Sequence, residues 1–187
     1  MGDERVIIGR DRERGQLELA IGPGDDGQRL VWFAGPSGRG KTTLLDDAVA
    51  RAGERGFTVA IARGRAGALT TPYQPWLEAL PGFAPAFNAL ASSGTDDPDS
   101  VGIALVQYLE EQAAQGPVLM AIDDAQALDE SSIALLGYAA GMSEDINVTL
   151  LFVEQTDAVG VPRSYRAFLD GLVARRIVQH IEPHVTP

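Results

Sequence analysis

The run from Leu30 to Leu45, LVWFAGPSGRGKTTLL, constrains this chain more than any other stretch. Leu30-Val31-Trp32-Phe33-Ala34 is apolar without alternation, the pattern of a strand buried on both faces. Gly35-Pro36-Ser37-Gly38-Arg39-Gly40-Lys41-Thr42 then satisfies G-x-x-x-x-G-K-[ST] at every fixed position. Thr43-Leu44-Leu45 opens a helix. Strand, glycine turn and helix in that order are the building unit of layered α/β proteins, not of all-helical or all-β folds.

The residue types in the turn suit one chemistry. Gly35, Gly38 and Gly40 let the backbone curl so that successive N–H groups, including those of Pro36's followers Ser37 and Arg39, can face phosphate oxygens. The helix starting near Lys41 adds the positive end of its dipole, with the N–H groups of Thr42 and Thr43 in its first turn. Lys41 is placed to reach β- and γ-phosphates, and the Thr42 hydroxyl to ligate Mg²⁺. Lys41 is also the only lysine among fifteen basic residues, so a chain that otherwise uses arginine did not use it here.

A second motif follows downstream. Val118-Leu119-Met120-Ala121-Ile122 is an apolar run ending in Asp123-Asp124, the Walker B pattern that complements a complete glycine loop. The carboxyl end of a buried parallel strand is where open α/β sheets bind ligands. Asp123 is expected near Mg²⁺, through a water, because that ion keeps much of its hydration. Asp124 is expected to orient or deprotonate the attacking water.

Composition limits the remaining choices. A chain of 187 residues with 45% hydrophobic and 22% charged residues suits one soluble domain spanning 1–187. No apolar window reaches the length of a membrane span, and the N-terminus lacks a signal peptide's apolar core. With no cysteine, disulfides and thiolate metal sites are excluded, in agreement with a cytoplasmic setting. A net charge of −11 argues against a broad nucleic-acid surface, and no direct nucleic-acid binding by this domain is expected.

Val6-Ile7-Ile8-Gly9-Arg10-Asp11-Arg12-Glu13 leads into a helix through Leu17, Leu19 and Ala20. As pattern alone it reads equally as an apolar staple against the sheet. An apolar pair followed by Gly-Arg-acid-x-Glu, upstream of the glycine loop, resembles the opening motif of the STAND signalling ATPases, relatives of the AAA+ group. That resemblance implies that Ile8, Gly9 and Arg10 lie beside adenine and ribose. Thr71 to Leu80 and Asp124-Ala125-Gln126-Ala127-Leu128-Asp129 are similar to segments of the large ATP-binding regulators of the LuxR type. Related ATPases often place a sensor arginine where this chain has Glu154-Gln155-Thr156, and its lack implies slow hydrolysis.

Strands are expected near 29–34, 57–62, 118–123, 147–153 and 176–182. Ser92 to Asp97 has a loop's composition, Asp97 should cap a helix starting at Pro98, and Asp129 the helix after it. The expectation is a three-layer α/β/α P-loop sandwich with a mostly parallel five-stranded sheet; the resemblance implies the order 5-1-4-3-2. The family's usual lid, helical repeats and DNA-binding module find no counterpart in 1–187, which reads as a nucleotide-binding core. The implied function is an ATP·Mg²⁺-binding switch, with ATP or ADP as ligand, in a signalling or transcription-regulating ATPase. Self-association and contact with C-terminal domains stay open. A remodelling AAA+ motor is an alternative, although its usual Glu after the Walker B Asp is Asp124 here. A small-molecule kinase needs an acceptor pocket and lid arginines, to which no segment is committed. A GTPase lacks its Asn-Lys-x-Asp motif.

Overall fold

The computed structural model describes residues 11–21, 29–65, 71–142, 146–175 and 178–182. Among these residues five strands form one sheet: β1 (Leu30–Gly35), β2 (Thr58–Arg63), β3 (Val118–Asp123), β4 (Val148–Gln155) and β5 (Gln179–Ile181). Their order is β2-β3-β4-β1-β5, and every pairing is parallel. The sheet therefore has the expected order, read from its opposite edge, and is wholly rather than mostly parallel.

β3 shows why its sequence has no polar alternation. All six of its residues are buried, because successive side chains point to opposite faces and both faces are covered. Val118, Met120 and Ile122 enter one hydrophobic cluster, and Leu119 and Ala121 the other. Helices α1 (Asp11–Ala20) and α2 (Lys41–Glu54) cover the second cluster. On the other face lie α3 (Gln74–Ala79), α4 (Ala84–Ser93), α5 (Pro98–Ala113), α6 (Glu130–Met142) and α7 (Arg163–Arg175). Trp76, in α3, is fully buried, and its indole N–H donates to the Ser132 carbonyl at 3.1 Å.

Several local expectations shift. The apolar residues buried along α1 and at its end are Leu17 and, one residue past the helix, Ile21, whereas Leu19 is 71% exposed. Ser92 and Ser93 belong to α4, which ends at Gly94 in the left-handed conformation, φ 71°. That helix buries none of its residues fully and lays only Phe87 and Leu90, three residues apart, against the core. Asp97 does cap α5, accepting from the N–H groups of Asp99 and Ser100. Asp129 accepts from both the N–H and the hydroxyl of Ser132. Ile8, Gly9 and Arg10 lie outside the described residues.

Candidate functional site

The sheet order decides which loops meet. β1 and β3 flank β4, so the glycine loop after β1 and the two acids after β3 emerge on either side of one strand. Gly38 and Gly40 have φ of 71° and 70°, a region that side-chain-bearing residues rarely enter. Pro36 to Gly40 are exposed. No side chain caps the start of α2, and its first turn carries no acid. The amide groups of Lys41, Thr42 and Thr43 thus begin a helix that supplies no cap or acid of its own.

Lys41 folds across the loop, its Nζ 2.7 Å from the Pro36 carbonyl, and is 7% exposed. Burial lowers its pKa, and the nearby charges of Asp124, Asp157 and Asp123 pull it back up. The Thr42 hydroxyl lies 3.2 Å from Asp123 Oδ2 and 3.4 Å from Oδ1. Asp123 is also 7% exposed and accepts the N–H of Asp124. Burial, with Asp124 beside it, raises the Asp123 pKa despite the Thr42 bond. Lys41, Thr42, Asp123 and Asp124, distant in sequence, therefore share one corner.

Asp124 is turned out of the strand. It takes a left-handed backbone, φ 49°, and heads a 3₁₀ turn over Ala125–Ala127. A left-handed non-glycine residue is strained and persists only where its surroundings hold it. Here Ala127 N–H donates to the Asp124 carbonyl at 2.8 Å. The turn borders an open cavity of about 580 Å³ whose lining includes Gly64, Arg65, Asp129 and Gly160.

Three residues of this corner were not singled out from the sequence. Asp157, just past β4, accepts the Ser37 N–H at 2.9 Å and adds a third acid. Its signal was position alone, at the carboxyl end of a parallel strand. Gln126 bonds both Asp124 and the backbone of Gln155. Gly64 lies so close to Asp124 that only a hydrogen fits where its side chain would be. The backbone just after β2 is tied to the same turn: Gly64 N–H donates to the Asp123 carbonyl and Arg65 N–H to that of Ala127.

The raised Asp123 pKa makes a stability prediction. A carboxyl whose pKa is higher in the fold than in the unfolded chain favours folding when protonated, and that stability is lost as pH rises through the raised value. At pH 7 the ionised Asp123 is a cost to the ligand-free fold. Asp123→Asn keeps an oxygen for the Thr42 hydroxyl and the Asp124 N–H and removes the charge. Its melting temperature should equal or exceed the wild type's at pH 7, the gap closing as pH falls toward the ordinary carboxylate range. Melts across pH check this; a variant less stable at pH 7 and no different at low pH contradicts it.

A glycine phosphate loop between a buried parallel strand and a helix, facing an acid at the end of a second strand, defines the P-loop nucleoside triphosphatase class. Within it, the chain belongs to the AAA ATPase domain family, whose sequence model matches residues 6–153. No functionally curated protein matches the sequence significantly. Among solved structures the chain is similar to AMPPCP-bound DnaA from Aquifex aeolicus, at 17% identity and TM-score 0.53, covering 95% of this chain and 47% of that one. It is similar also to Cdc6p from Pyrobaculum aerophilum, at 17% identity and TM-score 0.56, covering 97% and 47%. A third is a replication initiator DnaA bound to AMPPCP and single-stranded DNA, at 17% identity and TM-score 0.55, covering 100% and 48%. At such identity the likeness is one of fold, and the chain spans about half the length of these proteins. Among the described residues no helix is long and apolar enough to cross a membrane.

Proposed function

We propose that residues 1–187 form a nucleotide-binding domain that binds ATP with Mg²⁺ as a switch and hydrolyses it slowly, within a signalling or transcription-regulating ATPase. The observation that carries the reading is the meeting of Lys41, Thr42 and Asp123 under an exposed glycine loop. Gly35 to Thr43 cradle the phosphates: backbone N–H groups supply donors, and Lys41 the balancing charge. Ile8, Gly9 and Arg10 are the proposed adenine-side residues, by resemblance to the STAND ATPases and the LuxR-type regulators.

The donor set fits Mg²⁺. A hydroxyl and a buried carboxylate, both hard oxygen donors, lie in contact, and the carboxylate's raised pKa marks an anion that a cation would relieve. Thr42 and Asp123 would hold the ion, which when bound neutralises charge on the β- and γ-phosphate oxygens. Asp124 is the residue proposed to orient water. The AMPPCP in two DnaA structures agrees with a nucleotide ligand. The single-stranded DNA in one of them raises nucleic acid as a ligand to test, against which stands a net charge of −11.

Calorimetry with ATP, ADP and GTP, each with Mg²⁺ and with EDTA, tests the reading, with an oligonucleotide titration in parallel. ATP and ADP should bind, ATP more weakly without Mg²⁺, GTP weakly and DNA not at all. A domain that binds none of the nucleotides ends the proposal, and one that binds DNA ends its nucleic-acid clause.

A further inference from the structure

Gln126 is only 6% exposed although it stands in the loop that follows two acids. Both ends of its amide are used. Nε2 donates to Asp124 Oδ1 at 3.1 Å, and Oε1 accepts the backbone N–H of Gln155 at 2.9 Å. The orientation is forced: Gln155 N–H is a donor, so the amide oxygen must face it, which turns the NH₂ toward the carboxylate. Gln155 closes β4 in register with Gly35, and the next residue's N–H donates to the Gly35 carbonyl at 3.1 Å. Gln126 is thus a side-chain link from the Asp124 turn to the strand that carries the base of the phosphate loop.

The backbone of Asp124 is fixed by other groups: the 3₁₀ turn bonds its carbonyl, and Gly64 packs directly beneath that oxygen. Its carboxylate is a separate matter. A short acid on a left-handed residue can swing, and the amide of Gln126 restrains it by one oxygen. No arginine stands at residues 154–156, so the end of β4 acts here through its backbone, and Gln126 carries that contact to the acid.

We propose that Gln126 is a positioning residue for ATP hydrolysis, holding Asp124 Oδ1 so that Oδ2 is left to take a proton from the attacking water. The inference rests on the nucleotide reading above. In the step it serves, the water oxygen bonds to the γ-phosphorus and the bond to the β–γ bridging oxygen breaks. ADP leaves with that electron pair, and the water's proton passes to Asp124 and then to solvent. Gln126 touches neither ATP nor water. Its effect is on turnover and not on binding.

The test compares wild type, Gln126→Glu and Gln126→Leu in the full chain. It measures single-turnover release of labelled phosphate from ATP·Mg²⁺, ATP affinity by calorimetry, and melting temperature. Gln126→Glu keeps an acceptor for the Gln155 N–H and loses the donor to Asp124. Its turnover should fall by about ten- to a hundredfold, part of what a positioned base contributes, with ATP affinity within about threefold of wild type. Gln126→Leu loses both bonds and should fall at least as far, with a lower melting temperature. In an Asp124→Asn background, Gln126→Glu should cost less than about twofold more, since both changes remove one function. Wild-type turnover in Gln126→Glu, a loss confined to affinity, or a Glu variant that no longer folds would each overturn the proposal. So would a wild type that binds ATP yet releases no phosphate above buffer. A wild type that does not bind ATP would instead bring down the nucleotide reading itself.

Discussion

Lys41→Ala should erase the ATP·Mg²⁺-dependent rise in melting temperature while leaving the ligand-free domain folded and no less stable. A ligand at one hundred times its dissociation constant stabilises a protein by about 2.7 kcal/mol, which for a chain of this length is a rise of about 5–11 °C. In the proposed cradle Lys41 would supply the one lysine charge, and a charge-assisted contact to phosphate is among the strongest hydrogen bonds a site can make. Its removal costs the fold little, because Lys41 belongs to neither hydrophobic cluster and alanine is a good residue at a helix start. The sign of the ligand-free effect follows from the lowered pKa of Lys41. A lysine whose pKa drops on folding is held charged at a cost at neutral pH, despite three acids around it, and alanine removes that cost. Paired melts with and without ATP·Mg²⁺ decide the matter. Equal rises in both proteins would sink the phosphate-cradle assignment.

Much of this arrangement was legible because it is written in patterns of short range. β3 falls on the six residues expected, Val118–Asp123, since a strand buried on both faces leaves an uninterrupted apolar run that an acid ends sharply. The glycine loop is likewise a local motif whose φ values demand glycine at Gly38 and Gly40. The strand order came from resemblance, as no periodicity says which strand lies beside which. What stayed hidden depends on distances across the sheet. Gln126 sits in a three-residue 3₁₀ turn with no period, and its role appears only once Gln155, on the next strand, stands 2.9 Å away. Asp157 matters because β4 runs beside β1 and delivers it to Ser37. α4 escaped because it lies on the surface and buries nothing completely.

Gly64→Ala should be among the most damaging single-methyl changes this chain can suffer. Gly64 follows β2, whose last residue, Arg63, pairs in register with Asp123. A Cβ at Gly64 would stand 2.1 Å from the Asp124 carbonyl oxygen, 2.9 Å from the Ala127 carbonyl carbon and 3.0 Å from the Leu128 nitrogen. All three are backbone atoms, so no side-chain rotation can relieve the clash. Nor can the two segments slide apart freely: Gly64 N–H donates to the Asp123 carbonyl at 2.9 Å and Arg65 N–H to that of Ala127 at 3.1 Å. Overpacking a fitted site costs about 1–3 kcal/mol and more where backbone must move. About 3 kcal/mol corresponds to a fall in melting temperature of roughly 6–12 °C for a domain of this size. The move needed to admit the methyl pushes on the Asp124–Leu128 turn itself, so ATP turnover should fall together with stability. Gly171→Ala is the control. It lies inside α7, with nothing within 4 Å of an added Cβ, and alanine there should stabilise by up to about 1 kcal/mol. Thermal melts and phosphate-release assays of wild type and the two variants suffice. If Gly64→Ala melts within about 2 °C of wild type, the β2 end does not brace the Asp124 turn, and the support ascribed to Gly64 is wrong.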